Sequence, residues 1–364
     1  MEQTSQRAIR AIDPAGDIAD LMARLAAALE GNGPALSLGE ISVTHVESEI
    51  TLVMPTSGST GQPREVGLSA NSLIASARSA NKFLDASLGD VWSLLLPVTH
   101  IAGINVLLRS LQCGSTPIDA RGISGKYPKV DFTAVVPTQL YRALDSNSHL
   151  LDHLLSAKSV LVGGSALDSK LRERAISAGI KIVESYGMTE TSGGCVYDGV
   201  ALEGVFLEIS EAGNIKISGA CIASGYINDS RLWNEKFQDG YFESSDIGEI
   251  RDGKLFVLGR SDDIIISGGE NISLIEIETV IKQAYPANQI AAFAITDSEW
   301  GQILHLAIAG KEKPDKFAIN ELLVNRISKA AKIKNFIYLD NLPRTPLDKI
   351  DRSRLIEIAQ GKET

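Results

Sequence analysis

The chain has 364 residues, of which 44% are hydrophobic and 22% are charged, an ordinary composition for a folded protein with a large core. Its formal net charge of −10 argues against a nucleic-acid-binding protein or one that adheres to anionic membranes. Any nucleotide must therefore be held by a local site, and the length predicts two or three domains.

The three cysteines, Cys113, Cys195 and Cys221, lie far apart and form no CxxC pair. Their spacing predicts neither a disulfide framework nor a zinc site, and it favours a reducing, cytoplasmic location. Residues 1–17 carry charges and lack an apolar core, so we do not expect a signal peptide.

Residues 91–108 form a stretch of 18 without Asp, Glu, Lys or Arg, which approaches the length of a membrane-spanning helix. Pro97, His100 and Gly103 interrupt it. We therefore predict a buried strand followed by a buried helix, and no membrane span.

Short apolar runs alternate with segments of helical period over residues 1–260. The predicted helices are 18–28, 72–84, 104–111, 139–144 and 169–178, and the predicted strands are 50–54, 91–96, 134–136, 159–162 and 180–184. This alternation predicts an α/β domain with mostly parallel sheets, in which ligands bind beyond the carboxyl ends of the strands.

The pattern changes near residue 200 to short strands joined by tight turns. These predicted strands are 205–209, 214–218, 248–251 and 254–258, with a hairpin turn at Asp252-Gly253. Beyond Gly259 the pattern becomes α+β, with predicted helices 275–284 and 315–331 and predicted strands 289–296, 304–309 and 335–338.

These patterns predict a domain boundary near residues 260–263. The N-terminal domain is then 1–260, with a β-rich subdomain at its end, and the small α+β C-terminal domain is 261–364.

A loop rich in hydroxyl groups, PTSGSTGQPR from Pro55 to Arg64, follows the predicted strand 50–54. Its two glycines allow backbone N–H groups to converge on an anion, and its hydroxyls and guanidinium can bind phosphate oxygens. The pattern differs from the Walker motif. The alternative is a surface turn rich in serine and glycine.

A second loop, SYGMTET from Ser185 to Thr191, follows the predicted strand 180–184. Tyr186 could stack on a nucleotide base and Thr189 could face phosphate. Glu190 is a candidate Mg²⁺ ligand, because Mg²⁺ takes few protein ligands and keeps water and phosphate oxygens. The alternative for Glu190 is a carboxylate favoured by a helix dipole.

Gly163–Ser165 also ends a strand, where its glycines would let a flat ring lie against the backbone.

Asp246 and Arg260 are candidate contacts for the ribose hydroxyls, and the alternative is a surface ion pair. Downstream, Gly268-Gly269 precedes a predicted helix. Two glycines let a slender ligand chain pass close to the backbone, whereas the alternative is a plain connecting loop.

Lys349 lies in LPRTPLDKI, where two prolines stiffen the loop that presents it. A lysine there could bring its charge to a carboxylate and an α-phosphate as negative charge moves between them. The alternative is a solvated lysine near the end of the chain.

In this order, TSGSTGQPR, YGMTE, SSDIG, GRSDD, GGENISLIEIE and LPRTPLDKI resemble the signatures of the adenylate-forming acyl-CoA synthetase superfamily. The resemblance covers residues 51–352. It implies a ligase that uses ATP and Mg²⁺ to convert a carboxylic acid into its adenylate and then transfers the acyl group to coenzyme A.

The resemblance also implies roles for residues that match the family's motifs. Phosphate binding is implied for Thr56, Ser57, Ser59, Thr60 and Arg64, nucleotide binding for Gly163, Gly164, Ser165, Tyr186, Gly187, Met188 and Thr189, ribose binding for Asp246 and Arg260, and pantetheine passage for Gly268 and Gly269. Catalysis is implied for Lys349 and Thr60, and for Glu190 as the Mg²⁺ ligand. Asp262 falls at the family's hinge, about which the C-terminal domain rotates between half-reactions.

A narrower resemblance is carried by HIAG from His100, VPTQL from Val136 and GGCVYDG from Gly193. These segments resemble the o-succinylbenzoate–CoA ligases of menaquinone biosynthesis, in their compact actinobacterial form. The implied substrate contacts are His100, Arg142, Gly187 and Gly193. His100 could instead be a hydrogen-bonded core histidine, and Arg142 a surface residue.

Three readings of the function stay open besides this ligase: another aryl- or alkyl-acid ligase, an adenylating domain that loads a carrier protein, and a silent nucleotide-binding regulator. The resemblance also leaves room for a homodimer. The chain departs from the family at Arg64, where lysine is usual, and at Asp348, where glycine is usual. Its N-terminal region is short, so we expect part of the N-terminal subdomain to be trimmed.

Overall fold

The computed structural model describes residues 5–56, 64–267, 270–297, 301–310, 312–345 and 350–361. They divide into two compact units. The first comprises Met1–Ser244 and Gly248–Val257, and the second comprises Ser245–Ile247 and Leu258–Thr364.

Most of the α-helices begin at a side chain that caps them. The helices are Ile18–Leu29, Ala70–Phe83, Ile101–Gln112, Pro137–Asp145, Ser148–Ser156, Ser169–Ser177, Ser230–Lys236, Leu274–Ala284, Lys316–Arg326 and Arg352–Ala359. In eight of them the residue before the helix accepts a hydrogen bond from a first-turn N–H; these residues are Asp17, Ser69, Asn147, Asp168, Asp229, Ser273, Asp315 and Asp351. Such caps satisfy backbone donors that the helix itself leaves unpaired.

Within the described residues the strands form four sheets, of six, seven, five and five strands. The first consists, in spatial order, of Gly225–Tyr226, Arg64–Ser69, Ile50–Thr56, Ala35–Ser37, Gln6–Ala11 and His45–Glu47. The second consists of Val200–Ala201, Gly193–Tyr197, Ile182–Met188, Ser159–Val162, Phe132–Val135, Trp92–Leu94 and Ile118–Asp119. The third contains Val205–Ile209, Asn214–Gly219, Tyr241–Arg251 and Phe237–Gln238, with Lys254–Arg260 beside Tyr241–Arg251.

The second sheet has the parallel arrangement that the βα alternation predicts. Its strands pair in parallel from Ile118–Asp119 as far as Ile182–Met188, and only Gly193–Tyr197 and Val200–Ala201 run antiparallel. The first sheet mixes parallel and antiparallel pairs. Gly193–Tyr197 was not among the predicted strands, because its two glycines give a weak β signal.

The uncharged stretch 91–108 folds as predicted, into the strand Trp92–Leu94 and the start of the helix Ile101–Gln112. Ile104 and Leu107 are fully buried in the main core of the first unit. Among the described residues, no helix combines the length and the apolar character needed to cross a membrane.

The predicted hairpin at Asp252-Gly253 is confirmed. It joins Tyr241–Arg251 to Lys254–Arg260. Asp252 has a φ of 49° and Gly253 a φ of 73°, as a type I′ turn requires.

The second unit has its own core, formed by helices against the fourth sheet. That sheet consists of Glu270–Ser273, Ile264–Ser267, Gly301–Ala309 and Gln289–Asp297, with Asn335–Leu339 beside Gly301–Ala309. The prediction of one helix over 315–331 is wrong. The α-helix ends at Arg326, and a separate 3₁₀ turn, Lys329–Ala331, follows. The Ser328 hydroxyl accepts a hydrogen bond from Ala330 N, a local bond that competes with continued helix.

Candidate functional site

Glu190 is presented by a one-turn 3₁₀ helix, Thr189–Thr191, at the end of the strand Ile182–Met188. The Thr191 hydroxyl closes this turn. It accepts a hydrogen bond from Met188 N at 2.9 Å and donates to Gly193 O at 2.7 Å. The strand is the last parallel member of its sheet, and its carboxyl end is where ligands bind in such sheets.

The Glu190 carboxylate is buried, with the residue only 8% exposed. Its Oε1 accepts a hydrogen bond from the Tyr226 hydroxyl at 2.8 Å. The Arg64 guanidinium carbon lies 5.6 Å from the centre of the Tyr226 ring, within range of a cation–π interaction. One tyrosine therefore contacts both the carboxylate of the second loop and the cation of the first.

Burial raises the pKa of Tyr226, and the neighbouring Glu190 carboxylate raises it further. The hydroxyl therefore keeps its proton at neutral pH and remains a hydrogen-bond donor. A proton held there fixes the direction of the bond toward Glu190.

Arg64 opens the strand Arg64–Ser69, where it pairs with Thr56 across the antiparallel ladder. Its Nε is buried and has no hydrogen-bond partner among the described residues. A buried donor without a partner is costly, so this atom fits an anionic ligand such as phosphate. Ser57, Ser59 and Thr60 lie outside the described residues, and their phosphate contacts stay predictions.

Gly163 and Gly164 end the strand Ser159–Val162, beside the strand that carries Ser185. A Cβ atom added to Gly163 would lie 3.0 Å from Ser185 O, so a side chain there would crowd the neighbouring strand. The neighbouring Tyr186 is half-buried. The arrangement fits the predicted binding of a flat ring, which Ser165, Met188 and Thr189 would border.

Gly193 lies against the helix Ile101–Gln112. This helix begins directly after His100, a predicted substrate contact. It has a φ of +104°, and a Cβ there would overlap the side-chain amide of Asn105. Asn105 Nδ2 donates to Ser192 O at 2.9 Å. The helix that follows His100 and the strand that begins at Gly193 thus meet at Ser192 and Gly193. His100 is half-buried, whereas Arg142 is exposed in the last turn of Pro137–Asp145.

In the second unit, Asp246 and Arg260 form an ion pair, with Arg260 Nη1 at 3.1 Å from Asp246 Oδ1. The Asp246 side chain is 11% exposed and that of Arg260 is 48% exposed. Asp246 lies on the buried face of Tyr241–Arg251, where buried and half-buried residues alternate. The alternative to ribose binding was a surface ion pair; the two residues do form an ion pair, but its carboxylate is buried. The partly open guanidinium stays compatible with a ligand.

For the other predicted site residues of the second unit, the structure describes no side-chain contacts. Asp262 lies in the 3₁₀ turn Ser261–Asp263. Gly268, Gly269 and Lys349 lie outside the described residues, so their predicted contacts stay predictions.

Within the described ranges, no group of three or more His, Cys, Asp or Glu side chains is arranged to hold a metal ion. Glu190 is thus a single candidate ligand. A single carboxylate fits Mg²⁺ that arrives with a nucleotide, because phosphate and water oxygens complete its coordination.

A sequence model of AMP-binding enzymes matches residues 18–210, more than half of the chain. The chain belongs to the AMP-binding enzyme family. The matched range contains both predicted nucleotide loops.

Relatives of this AMP-binding enzyme share most of its length. It is 33% identical to a probable 2-succinylbenzoate–CoA ligase of Mycobacterium tuberculosis (strain ATCC 25618 / H37Rv), over 96% of this chain and 98% of that protein. It is 30% identical to a 2-succinylbenzoate–CoA ligase of Listeria monocytogenes (serotype 4b, strain F2365), over 85% of this chain and 70% of that protein.

A solved structure of similar fold is the o-succinylbenzoate coenzyme A synthetase of Bacillus subtilis, in complex with ATP and magnesium ion. The TM-score is 0.71 at 25% identity, over 87% of this chain and 72% of that one. The predicted fold class is therefore confirmed: this AMP-binding enzyme is an α/β protein with a large N-terminal and a smaller C-terminal part.

Sequence reasoning missed two polar side chains near this turn: Tyr226, which bonds the Glu190 carboxylate, and Asn105, which bonds the Ser192 carbonyl. Tyr226 is 36 residues from Glu190 along the chain, and Asn105 is 87 residues from the Ser192 carbonyl that it binds. No local pattern links such pairs. The one available signal was that His100 and Gly193 already belonged to motifs of one pocket.

Proposed function

We propose that this AMP-binding enzyme is an ATP-dependent ligase that converts o-succinylbenzoate to o-succinylbenzoyl-CoA, through an acyl-adenylate, in menaquinone biosynthesis. The observation that carries the proposal is the cluster in which Tyr226 joins the buried Glu190 carboxylate to Arg64. The names of the relatives support o-succinylbenzoate as the acid.

In the first half-reaction, a carboxylate oxygen of the acid attacks the α-phosphorus of ATP and the bond to the β-phosphate breaks. Pyrophosphate leaves with its negative charge. Mg²⁺, when bound, neutralises charge on the phosphates and orients them. Glu190 would hold this ion, Arg64 would face the departing phosphates, and Thr56, Ser57, Ser59 and Thr60 would donate hydrogen bonds to them.

In the second half-reaction, the coenzyme A thiolate attacks the acyl carbonyl and AMP leaves. We assign the charge of Lys349 to the first step and the passage beside Gly268 and Gly269 to the second. Alternating use of the two requires the domain 261–364 to rotate against 1–260 at Asp262. Asp246 and Arg260 would bind the ribose, and Tyr186 with the Gly163-Gly164 backbone would bind adenine.

The acid itself would lie near His100, Gly187 and Gly193, with Arg142 as a further candidate contact. o-Succinylbenzoate carries a second carboxylate besides the one that reacts, so its site needs a cation or hydrogen-bond donors. His100 and Arg142 can supply either.

One assay separates this proposal from its alternatives. The enzyme is incubated with MgATP and a panel of acids, with and without coenzyme A, and pyrophosphate and thioester are measured. Release with o-succinylbenzoate, and thioester only when coenzyme A is present, is the expected result. Release only with benzoate-like or fatty acids would make the enzyme a different ligase. Release with o-succinylbenzoate but no thioester would favour a carrier-loading domain, and no release with any acid would favour the silent regulator.

The proposal includes a cytoplasmic location, because the three cysteines are buried and form no disulfide bond among the described residues, which is usual in a reducing compartment. A homodimer is part of the proposal as well. Light scattering at several protein concentrations tests it, and a monomer mass throughout would remove it.

A further inference from the structure

We infer that Tyr226 is a positioning residue for the Glu190 carboxylate and, through its ring, for Arg64, so that it sets the response of the enzyme to Mg²⁺. This inference rests on the proposed function, because it concerns the metal that would arrive with ATP. Tyr226 lies outside the motifs that the sequence analysis singled out, whereas Glu190 and Arg64 lie within them.

The first support is the contact itself. The Tyr226 hydroxyl donates to Glu190 Oε1 at 2.8 Å inside a protein environment where both residues are buried, at 3% and 8% exposure. A hydrogen bond to one carboxylate oxygen fixes the rotation of the group and leaves Oε2 as the oxygen best placed for a cation. Partners of this kind orient metal ligands in many proteins.

The second support is the backbone of the residues before Tyr226. Ala223 N donates to the backbone oxygen of Glu190 at 2.8 Å. Cys221 O accepts a hydrogen bond from the Ser192 hydroxyl at 2.8 Å. The segment that carries Tyr226 is therefore hydrogen-bonded to the turn at Glu190 and again at Ser192, and these bonds hold the Tyr226 hydroxyl beside the Glu190 carboxylate.

The third support is that the same segment is tied to the strand that leaves the phosphate loop. Tyr226 pairs with Val66, and Ile227 N donates to Glu65 O at 2.7 Å. The Asn228 side chain accepts a hydrogen bond from Glu65 N at 3.0 Å. Residues 221–228 are thereby bonded both to the turn that carries Glu190 and to the strand that begins at Arg64.

The ring of Tyr226 has a defined place as well. It packs edge-on against Trp233, with ring centres 5.2 Å apart, and its other contacts include the Arg64 guanidinium. Because Trp233 holds the Tyr226 ring in place, the ring in turn limits the movement of the Arg64 guanidinium beside it. The substitution Tyr226→Phe preserves both ring contacts and removes only the hydroxyl, which bonds Glu190 and also interacts with Arg64.

The test compares wild type, Tyr226→Phe and the control Tyr127→Phe, which removes a hydroxyl that donates to Ile123 O at 3.0 Å elsewhere in the same unit. ATP binding is measured by calorimetry in EDTA and across a Mg²⁺ titration. We expect Tyr226→Phe to bind ATP in EDTA within twofold of wild type, but to need about tenfold more Mg²⁺, as is common when an outer partner of a metal ligand is lost. Tyr127→Phe should match wild type in both measurements.

A second comparison shows whether the effect passes through Glu190. Tyr226→Phe combined with Glu190→Gln should need no more Mg²⁺ than Glu190→Gln alone. An unchanged Mg²⁺ requirement in Tyr226→Phe, or full additivity in the double variant, would overturn this inference and leave the proposed function intact. ATP binding in EDTA reports a folded site in each variant. If Mg²⁺ does not change the affinity of the wild-type enzyme for ATP, both this inference and the proposed function would be overturned.

Discussion

Glu190 and Arg64 carry opposite charges in one small region of a protein whose overall charge is negative. Each has a chemical reason to be there. The carboxylate can bind a divalent cation, and the guanidinium can bind phosphate oxygens in pairs. Because both are buried or partly buried, solvent screens them less than surface charges. We therefore expect a single substitution at either position to change activity or ligand binding strongly.

Replacing Glu190 by Gln keeps the size of the side chain and its bond from Tyr226 but removes the charge. We expect pyrophosphate release with the acid substrate to fall on the order of 100-fold, as when one electrostatic contact of a transition state is lost. The matched control is Glu203→Gln, an exposed carboxylate paired with Lys82. Equal activity of the two variants would exclude Glu190 from metal binding.

Replacing Arg64 by Lys keeps the charge but loses the fork of donors that binds phosphate oxygens in pairs. We expect inhibition by added pyrophosphate to weaken by roughly threefold to tenfold, because one of two parallel hydrogen bonds is lost. The measurement is the inhibition constant of pyrophosphate in both proteins. Identical constants would show that charge alone matters at this position.

The strand Ile182–Met188 and its antiparallel neighbour Gly193–Tyr197 form the element that presents the second loop. Their pairing changes register between Tyr186 and Gly187, which marks a β-bulge, and bulges often re-aim side chains beside active sites. The backbones approach so closely there that a Cβ on Gly187 would overlap the Gly193 carbonyl oxygen. The two strands can therefore pair this closely only because a glycine occupies position 187.

Gly187→Ala should consequently force the two strands apart. We expect the free energy of unfolding to fall by about 1–3 kcal/mol, the usual range for an overpacked interior, and activity to fall with it. Gly125→Ala is the control, because a Cβ at Gly125 meets no atom within 4 Å. Urea denaturation of the two variants measures the difference, and equal stability would mean that the strands can separate without loss.

At the scale of the whole molecule, each unit buries one histidine. In the first, His153 Nδ1–H donates to Pro128 O at 2.6 Å and Nε2 lies 2.8 Å from Ser93 Oγ. In the second, His305 packs against Phe293 with the two rings tilted by 33° and their centres 5.3 Å apart. Burial lowers the pKa of both histidines, although the Pro128 carbonyl partly opposes this for His153.

A lowered pKa in the folded protein means that the unfolded chain binds more protons below its own histidine pKa of about 6.5. The contribution of these histidines to stability is complete above that value and is lost as the pH falls through the folded-state pKa. We therefore expect the free energy of unfolding to decrease below about pH 6.5. The dependence should be weaker in His153→Gln and unchanged in His45→Gln, whose histidine is exposed. An equal slope in all three proteins would contradict the prediction.

The amino-acid sequence alone determined the order and type of many elements, because apolar spacing and capping residues act over a few positions. The strands 159–162 and 205–209 fold over the predicted residues. Both loops were predicted to bind a nucleotide because strands, glycines and polar side chains follow one another directly in the sequence, and that role stays a prediction. Other elements escaped notice. The helix Ser148–Ser156 was missed although Asn147 caps it.

Only the tertiary structure decided which side chains meet. The Ser192 carbonyl accepts hydrogen bonds from Ser76, 116 residues away, and from Asn105. Tyr226 reaches Glu190 because a two-residue strand, Gly225–Tyr226, pairs with the strand that begins at Arg64. Such contacts depend on how distant strands pair and pack. That pairing depends on burial and shape over the whole unit, so no local pattern around Tyr226 reveals it.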